Sequence, residues 1–150
     1  PASDAVRIAG PRGSRRARRQ VIVVDASTAL EALLRTPAAE AVNTRLFDSG
    51  ETLHAPHLID VEVAQVLRRY AATGAIDPER CHAALLDWAD FPLNRYPHDI
   101  LLPRIWELRR NLTAYDAAYV ALAEALDATL LTRDRRLATA AGHHARIELV

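Results

Sequence analysis

The chain has 150 residues, half of them hydrophobic, enough for one domain with a real core. Its formal charge is zero but unevenly spread. Residues 1–20 hold six Arg against one acid, a net +5, and the remainder 13 Arg against 18 acids, a net −5. An acidic body with a basic arm excludes nucleic-acid binding by bulk charge alone. The single Cys81 excludes an internal disulfide, and no apolar run approaches a membrane span, so a soluble, cytoplasmic protein is expected.

Residues 1–20, Arg-dense and interrupted by Gly10-Pro11 and Gly13, predict a flexible arm that either contacts RNA or a partner or is a passenger. The folded domain is expected over residues 21–150. It opens with Val21-Ile22-Val23-Val24, four β-branched residues that predict a strand buried on both faces of a parallel sheet. The run stops at Asp25, and residues 27–34 read as helix. A second helix is expected over 37–48, with Pro37 in its first turn. Residues 49–51 break it, and 52–56 form a short strand curtailed by Pro56. Apolar residues at Ile59, Val63, Val66, Leu67 and Tyr70 predict a helix over 58–73. Asp60 is its expected capping acid, Glu62 borders its apolar stripe, and Gly74 ends it. The next helix starts at Asp77-Pro78-Glu79 and carries Leu85, Leu86, Trp88 and Ala89. A third strand is expected at 93–96. A helix over 99–111 offers Ile100, Leu101, Ile105, Trp106 and Leu108 to the core. An Ala-rich helix follows from Thr113 to about Leu126, then a strand at 128–132, a short helix at 134–141 and a last strand at 145–150. Strands alternating with helices predict an α/β fold in three layers, with a central, mainly parallel sheet and right-handed crossovers.

Four acids recur at equivalent places in this plan. Asp25 ends the first strand, Glu62 lies early in the helix after the second, Asp116 in the first turn of its helix, and Asp134 just after strand 128–132. Parallel strands lie about 4.8 Å apart, so all four are expected at one edge of the sheet. In open α/β sheets that carboxyl edge is where ligands bind. Each acid also has a plain structural reading. Asp25 and Asp134 suit helix caps, Asp116 completes a capping box with Thr113, and Glu62 suits a solvated helix face. Capping does not account for an acid after each switch from strand to helix. Carboxylates at close range repel one another unless a cation neutralises them, and hard oxygen donors without His or Cys favour Mg²⁺ or Mn²⁺. One or two such ions lower the pKa of an attacking water and stabilise the leaving oxygen in phosphodiester hydrolysis. The hydroxyls of Ser27, Thr113 and Thr132 are placed to orient ligands or waters, a role compatible with capping.

At these four blocks the chain resembles the PIN-domain ribonucleases. The residues concerned are Val23-Val24-Asp25-Ala26-Ser27, Asp60-Val61-Glu62-Val63, Leu112-Thr113-Ala114-Tyr115-Asp116-Ala117-Ala118-Tyr119 and Leu130-Leu131-Thr132-Arg133-Asp134. The resemblance extends over about residues 21–150 and is nearest to the VapC toxins of bacterial toxin–antitoxin pairs. It implies a PIN-like fold and a Mg²⁺- or Mn²⁺-dependent endoribonuclease with Asp25, Glu62, Asp116 and Asp134 as its acids. It further implies a homodimer inhibited by a small VapB-like antitoxin. The Arg-rich arm departs from the family pattern, in which the first strand starts near the N-terminus.

Other readings meet specific objections. A phosphotransfer receiver domain needs a Lys late in the chain, and all 19 basic residues are Arg. A haloacid-dehalogenase-type phosphatase needs Asp-x-Asp, and Ser27 stands two residues after Asp25. A PIN-like module that binds RNA or protein without cutting is the alternative from another class, and retention of all four acids argues against it. His54, His57, His143 and His144 have no Cys partners and read as loop residues rather than zinc ligands. Arg68, Arg69, Arg133, Arg135 and Arg136 could hold RNA phosphates, though most read as plain surface charge, and Arg133, between Thr132 and Asp134, is the first choice for a substrate contact. Trp88, Trp106, Tyr115 and Tyr119 read as core or dimer contacts rather than base-stacking platforms.

Overall fold

A computed structural model describes residues 20–47 and 50–150. The basic arm therefore lies outside the described residues, except for Gln20. Five strands, β1 (Val21–Val24), β2 (Thr52–Pro56), β3 (Leu93–Tyr96), β4 (Thr129–Thr132) and β5 (Arg146–Leu149), form one sheet in the order β3-β2-β1-β4-β5. Every pairing is parallel, with Val23 of β1 opposite His54 on one side and Leu130 on the other. The central position of β1 accounts for its composition: Ile22, Val23 and Val24 are essentially inaccessible. Each such side chain contributes roughly 1.5–3 kcal/mol of apolar burial.

The helices are α1 (Ala26–Leu34), α2 (Ala39–Leu46), α3 (Leu58–Thr73), α4 (Pro78–Ala89), α5 (Leu102–Glu107), α6 (Ala114–Ala125) and α7 (Arg135–Ala138). Helices α1, α2, α3 and α4 pack against one another, whereas α5 packs on α6 and α6 on β1, β2 and β4. The result is the three-layer α/β arrangement expected from the alternating pattern. An unbroken run from Ala117 to Ala123 is buried in α6, so small residues let this helix lie close to the sheet. Gly74 ends α3 with φ 70°, a left-handed conformation that suits glycine at a helix C-terminus.

Four local expectations are corrected. Asp60 does not cap α3. His57 occupies the cap position without a side-chain bond, and Leu58 N–H donates instead to His98 Nε2 at 2.9 Å. The Asp60 carboxylate accepts from Arg95 Nε and Trp88 Nε1, tying α3 to β3 and α4. The core stripe of α4 is Cys81, Ala84 and Trp88, and Leu85 and Leu86 are exposed. The expected helix over 99–111 is three pieces, a 3₁₀ turn (Asp99–Leu101), α5 and a second 3₁₀ turn (Leu108–Arg110). Pro103 explains the first break, because it has no N–H to continue a helix begun at Asp99. Finally, Ile100 and Trp106 stay exposed, while Leu101 and Leu108 enter the core.

Candidate active site

The strand order fixes where a site is built. From β1 the chain moves outward through β2 to β3, then crosses back to β4 on the other side of β1 and outward again to β5. The β1–β4 boundary is thus the topological switch point, where a crevice opens at the carboxyl ends of the strands. Asp25 follows β1 and Asp134 follows β4, on either side of this boundary.

Asp25 is buried and fully engaged. Its Oδ1 accepts from Ser27 Oγ at 2.7 Å and from Thr28 N–H at 2.9 Å, and its Oδ2 accepts from Thr132 Oγ1. Burial pushes its carboxyl above the ordinary aspartate range, against the lowering effect of these donors. Thr132 is inaccessible, and its hydroxyl also accepts the Asp134 N–H at 2.9 Å. One threonine therefore links the ends of β1 and β4. The hydroxyl of Ser27 plays a similar part, donating to Asp25 and accepting the Arg133 N–H at 3.0 Å.

Glu62 is half-buried on α3, and its Oε2 accepts from the Tyr119 hydroxyl of α6. Burial raises the Glu62 carboxyl, the Tyr119 bond opposes this, and the charges of Asp25 and Asp116 raise it further. Burial and the Glu62 charge likewise hold the Tyr119 hydroxyl protonated, as a donor. Glu62 thus lies within electrostatic reach of both Asp25 and Asp116. Only half of the capping box read from the sequence forms: Thr113 Oγ1 accepts the Asp116 N–H at 3.1 Å, but Asp116 Oδ2 accepts from that same hydroxyl at 2.7 Å rather than from the Thr113 backbone N–H.

Asp134 is held differently. Its Oδ1 caps α7, accepting from Arg136 N–H at 2.7 Å and Leu137 N–H at 3.4 Å. Its link to the other acids runs through its backbone and Thr132. Among the described residues, no three His, Cys or acid side chains surround a common point as a ready-made metal cage. Capping and charge proximity thus coexist: Asp25 and Asp134 cap helices, Asp116 bonds the capping hydroxyl of Thr113, and Glu62 feels the charges of Asp25 and Asp116.

Two residues of the site were not assigned to it by sequence. Tyr119 lies three residues after Asp116, one helical turn on, so its place beside Glu62 was within reach of the helical period. Glu31, four residues after Ser27 on α1, pairs with Arg133 and accepts from Thr36 Oγ1. Nothing local marked that contact, since it joins positions 102 residues apart.

A five-stranded parallel sheet with acids at its carboxyl edge is the arrangement of a PIN domain, and the PIN domain family matches residues 22–143. Ribonuclease VapC9 of Mycobacterium tuberculosis is 49% identical over 117 residues, spanning 78% of this chain and 88% of that protein. Ribonuclease VapC12 of the same species is 43% identical, spanning 87% of this chain and 99% of that protein. The fold matches that of VapBC2 from Rickettsia felis bound to a promoter DNA fragment, with TM-score 0.63 and 15% identity over 87% of this chain and 98% of that one. The chain belongs to the PIN-domain family and, within it, to the VapC ribonucleases.

Proposed function

We propose that this protein is the toxin of a toxin–antitoxin pair, an endoribonuclease that hydrolyses RNA phosphodiester bonds with the help of Mg²⁺ or Mn²⁺. The reading is supported by the Thr132 link between Asp25 and Asp134 at the β1–β4 switch point, with Glu62 facing the charges of Asp25 and Asp116, in a chain of VapC kinship. A purely structural set of caps has no use for a glutamate whose ionisation is opposed by burial and by two neighbouring charges. A hard divalent cation offsets both penalties, and an all-oxygen donor set suits Mg²⁺ or Mn²⁺ better than zinc. Asp25, Glu62, Asp116 and Asp134 are the residues that would hold it. When bound, the ion lowers the pKa of the attacking water and stabilises the leaving oxygen.

The chain's own residues prepare the site. Ser27, Thr28 and Thr132 fix the Asp25 carboxylate in one orientation. Tyr119 orients Glu62, and Thr113 orients Asp116. Arg133, at the mouth beside Ser27, meets the RNA backbone. Kinship with proteins crystallised as VapBC pairs supports a VapB-like antitoxin as partner. The exposed apolar side chains of Ile100, Leu102 and Trp106 support a homodimer. A non-catalytic binding module is not favoured, because it would not need all four acids.

Purified protein incubated with RNA should cut it in Mg²⁺ or Mn²⁺ and stop on addition of chelator. Undiminished cutting in EDTA would remove the metal from the mechanism. No cutting with any divalent ion would return the chain to the binding-module reading.

A further inference from the structure

A cavity of about 330 Å³ opens between α1 and α3, lined in part by Ser27, whose hydroxyl donates to Asp25. That is the lower end of the size range of small-ligand sites. Its lining divides by chemistry. Leu30, Leu34 and Val66 give an apolar floor, Tyr70 contributes an aromatic wall, and Arg69 and Arg133 supply two guanidinium groups. The Arg69 guanidinium lies 5.8 Å from the centroid of the Tyr70 ring. Arg133 does not range freely: its side chain pairs with Glu31, which also lines the cavity, and its backbone is fixed by Ser27. Glu31 itself is held by Thr36.

An apolar floor with cations around it matches the two faces of a nucleotide, a flat base or sugar and a phosphate. The placement matters as much as the composition. Ser27 lines the cavity and donates to Asp25, so a nucleotide seated here continues the strand whose phosphodiester lies against the carboxylates. We propose that the α1–α3 cavity is a subsite for the RNA nucleotide next to the scissile bond, with Arg69 and Arg133 gripping its phosphate and Glu31 positioning Arg133. This rests on the ribonuclease reading and adds where the strand lies and what grips it.

Glu31 gives a test whose sign separates the subsite from general charge. Removing an acid near a polyanion tightens binding if only net charge matters. Removing the residue that holds Arg133 in place loosens it. Binding of a fluorescently labelled single-stranded RNA oligonucleotide is measured on the Asp116→Asn background with Mg²⁺, over a range of salt concentrations. Arg69→Ala and Arg133→Ala should each weaken binding and lower the slope of log affinity against log salt, and the double variant should lower it by about 0.7, the value for the one single-strand phosphate contact they share. Arg146→Ala, on the opposite edge and paired with Asp127, should leave the slope alone. Glu31→Gln should weaken binding although it removes a negative charge. Arg69→Lys, which keeps the charge and the fold, should restore the slope.

With Asp116 intact, Arg69→Ala should raise KM and spare kcat, as expected for uniform binding away from the reacting atoms. Unchanged slopes for both arginine variants would overturn the subsite, and would be the result if the cavity serves a protein partner. Tighter binding by Glu31→Gln would overturn the positioning role. Failure of the ribonuclease reading is separately visible, as a parent chain that cuts nothing whatever these slopes are.

Discussion

Three donors converge on the Asp25 carboxylate, whereas Asp116 serves one hydroxyl and tolerates an amide. The same charge-removing substitution therefore has opposite structural consequences at the two sites. Asp25→Asn turns an NH₂ toward groups that themselves donate, and should destabilise the fold on the order of 1–3 kcal/mol. Asp116→Asn keeps an acceptor for Thr113 and leaves the Thr113–N–H cap in place. It also removes one of the two charges that oppose ionisation of Glu62. Asp116→Asn should abolish RNA cleavage, leave metal-free stability equal or slightly raised, and diminish the stabilisation given by added Mn²⁺ through mass action. Thermal melts with and without Mn²⁺, beside a cleavage assay, measure all three. An Asn variant that melts early yet still cuts RNA would mean that Asp116 is a cap and nothing more.

At the scale of the element, Arg104 of α5 joins pieces of chain that no local pattern connects. Its Nε and Nη2 grip Glu124 of α6 at 2.7 and 3.1 Å, Nη1 reaches Glu107, and Nη2 meets the carbonyl of Gly142. Glu124 also accepts the His144 N–H at 2.7 Å, so one carboxylate holds α5 and the segment before β5 on α6. The Arg104 hydrogen bonds hold the Glu124 carboxyl below the usual glutamate range, outweighing the effect of burial. A folded-state pKa lowered below its unfolded value contributes stability that is present above the unfolded value, about 4.3, and is lost as pH falls through the folded one. Glu124→Gln should therefore cost about 1 kcal/mol at pH 7 and flatten the acid limb of stability between pH 5 and 3. Urea melts across that window decide it, and an unchanged acid limb would remove Glu124 from the network's role. Elements whose signal is local were legible. The β-branched run of β1, the 3.6-residue period of α3 and the Thr113 cap all came through. What failed needed tertiary knowledge or a closer reading of one residue: Leu85 and Leu86 looked like core because they are apolar, but the packed face of α4 runs through Cys81, Ala84 and Trp88. Pro103 was in plain view, and its missing N–H already argued against one helix over 99–111.

Over the whole molecule, the acids meet because a parallel sheet sends every strand's carboxyl end the same way, which the alternating pattern already implied. The position of β4 beside β1 was not readable, and that adjacency is what lets Thr132 reach Asp25. Trp106 shows the same divide. Its helical spacing left two readings, core or dimer contact, and the fold removes the first by leaving it 68% exposed. Leu102, one turn earlier on the same face of α5, is also exposed, as is Ile100 just before it. Large apolar side chains grouped on an exposed face are the kind of surface that a partner covers. The Arg109 guanidinium lies 4.6 Å from the Trp106 ring centroid, but a guanidinium on one side of the indole does not remove Leu102 from water. If this face joins two copies, Trp106→Glu removes the indole each copy would bury and sets a charge in the apolar face, whose desolvation is costly even when Arg109 pairs with it. Sedimentation at micromolar concentration should give a dimer for the parent chain and a folded monomer for Trp106→Glu, with circular dichroism unchanged because Trp106 lies outside the core formed by the described residues. A parent chain that sediments as a monomer, or a Trp106→Glu variant that remains a dimer, would move the interface elsewhere. Because α5 packs on α6, which carries Asp116 and Tyr119, loss of the dimer should also lower cleavage if the partner steadies α6 through this face.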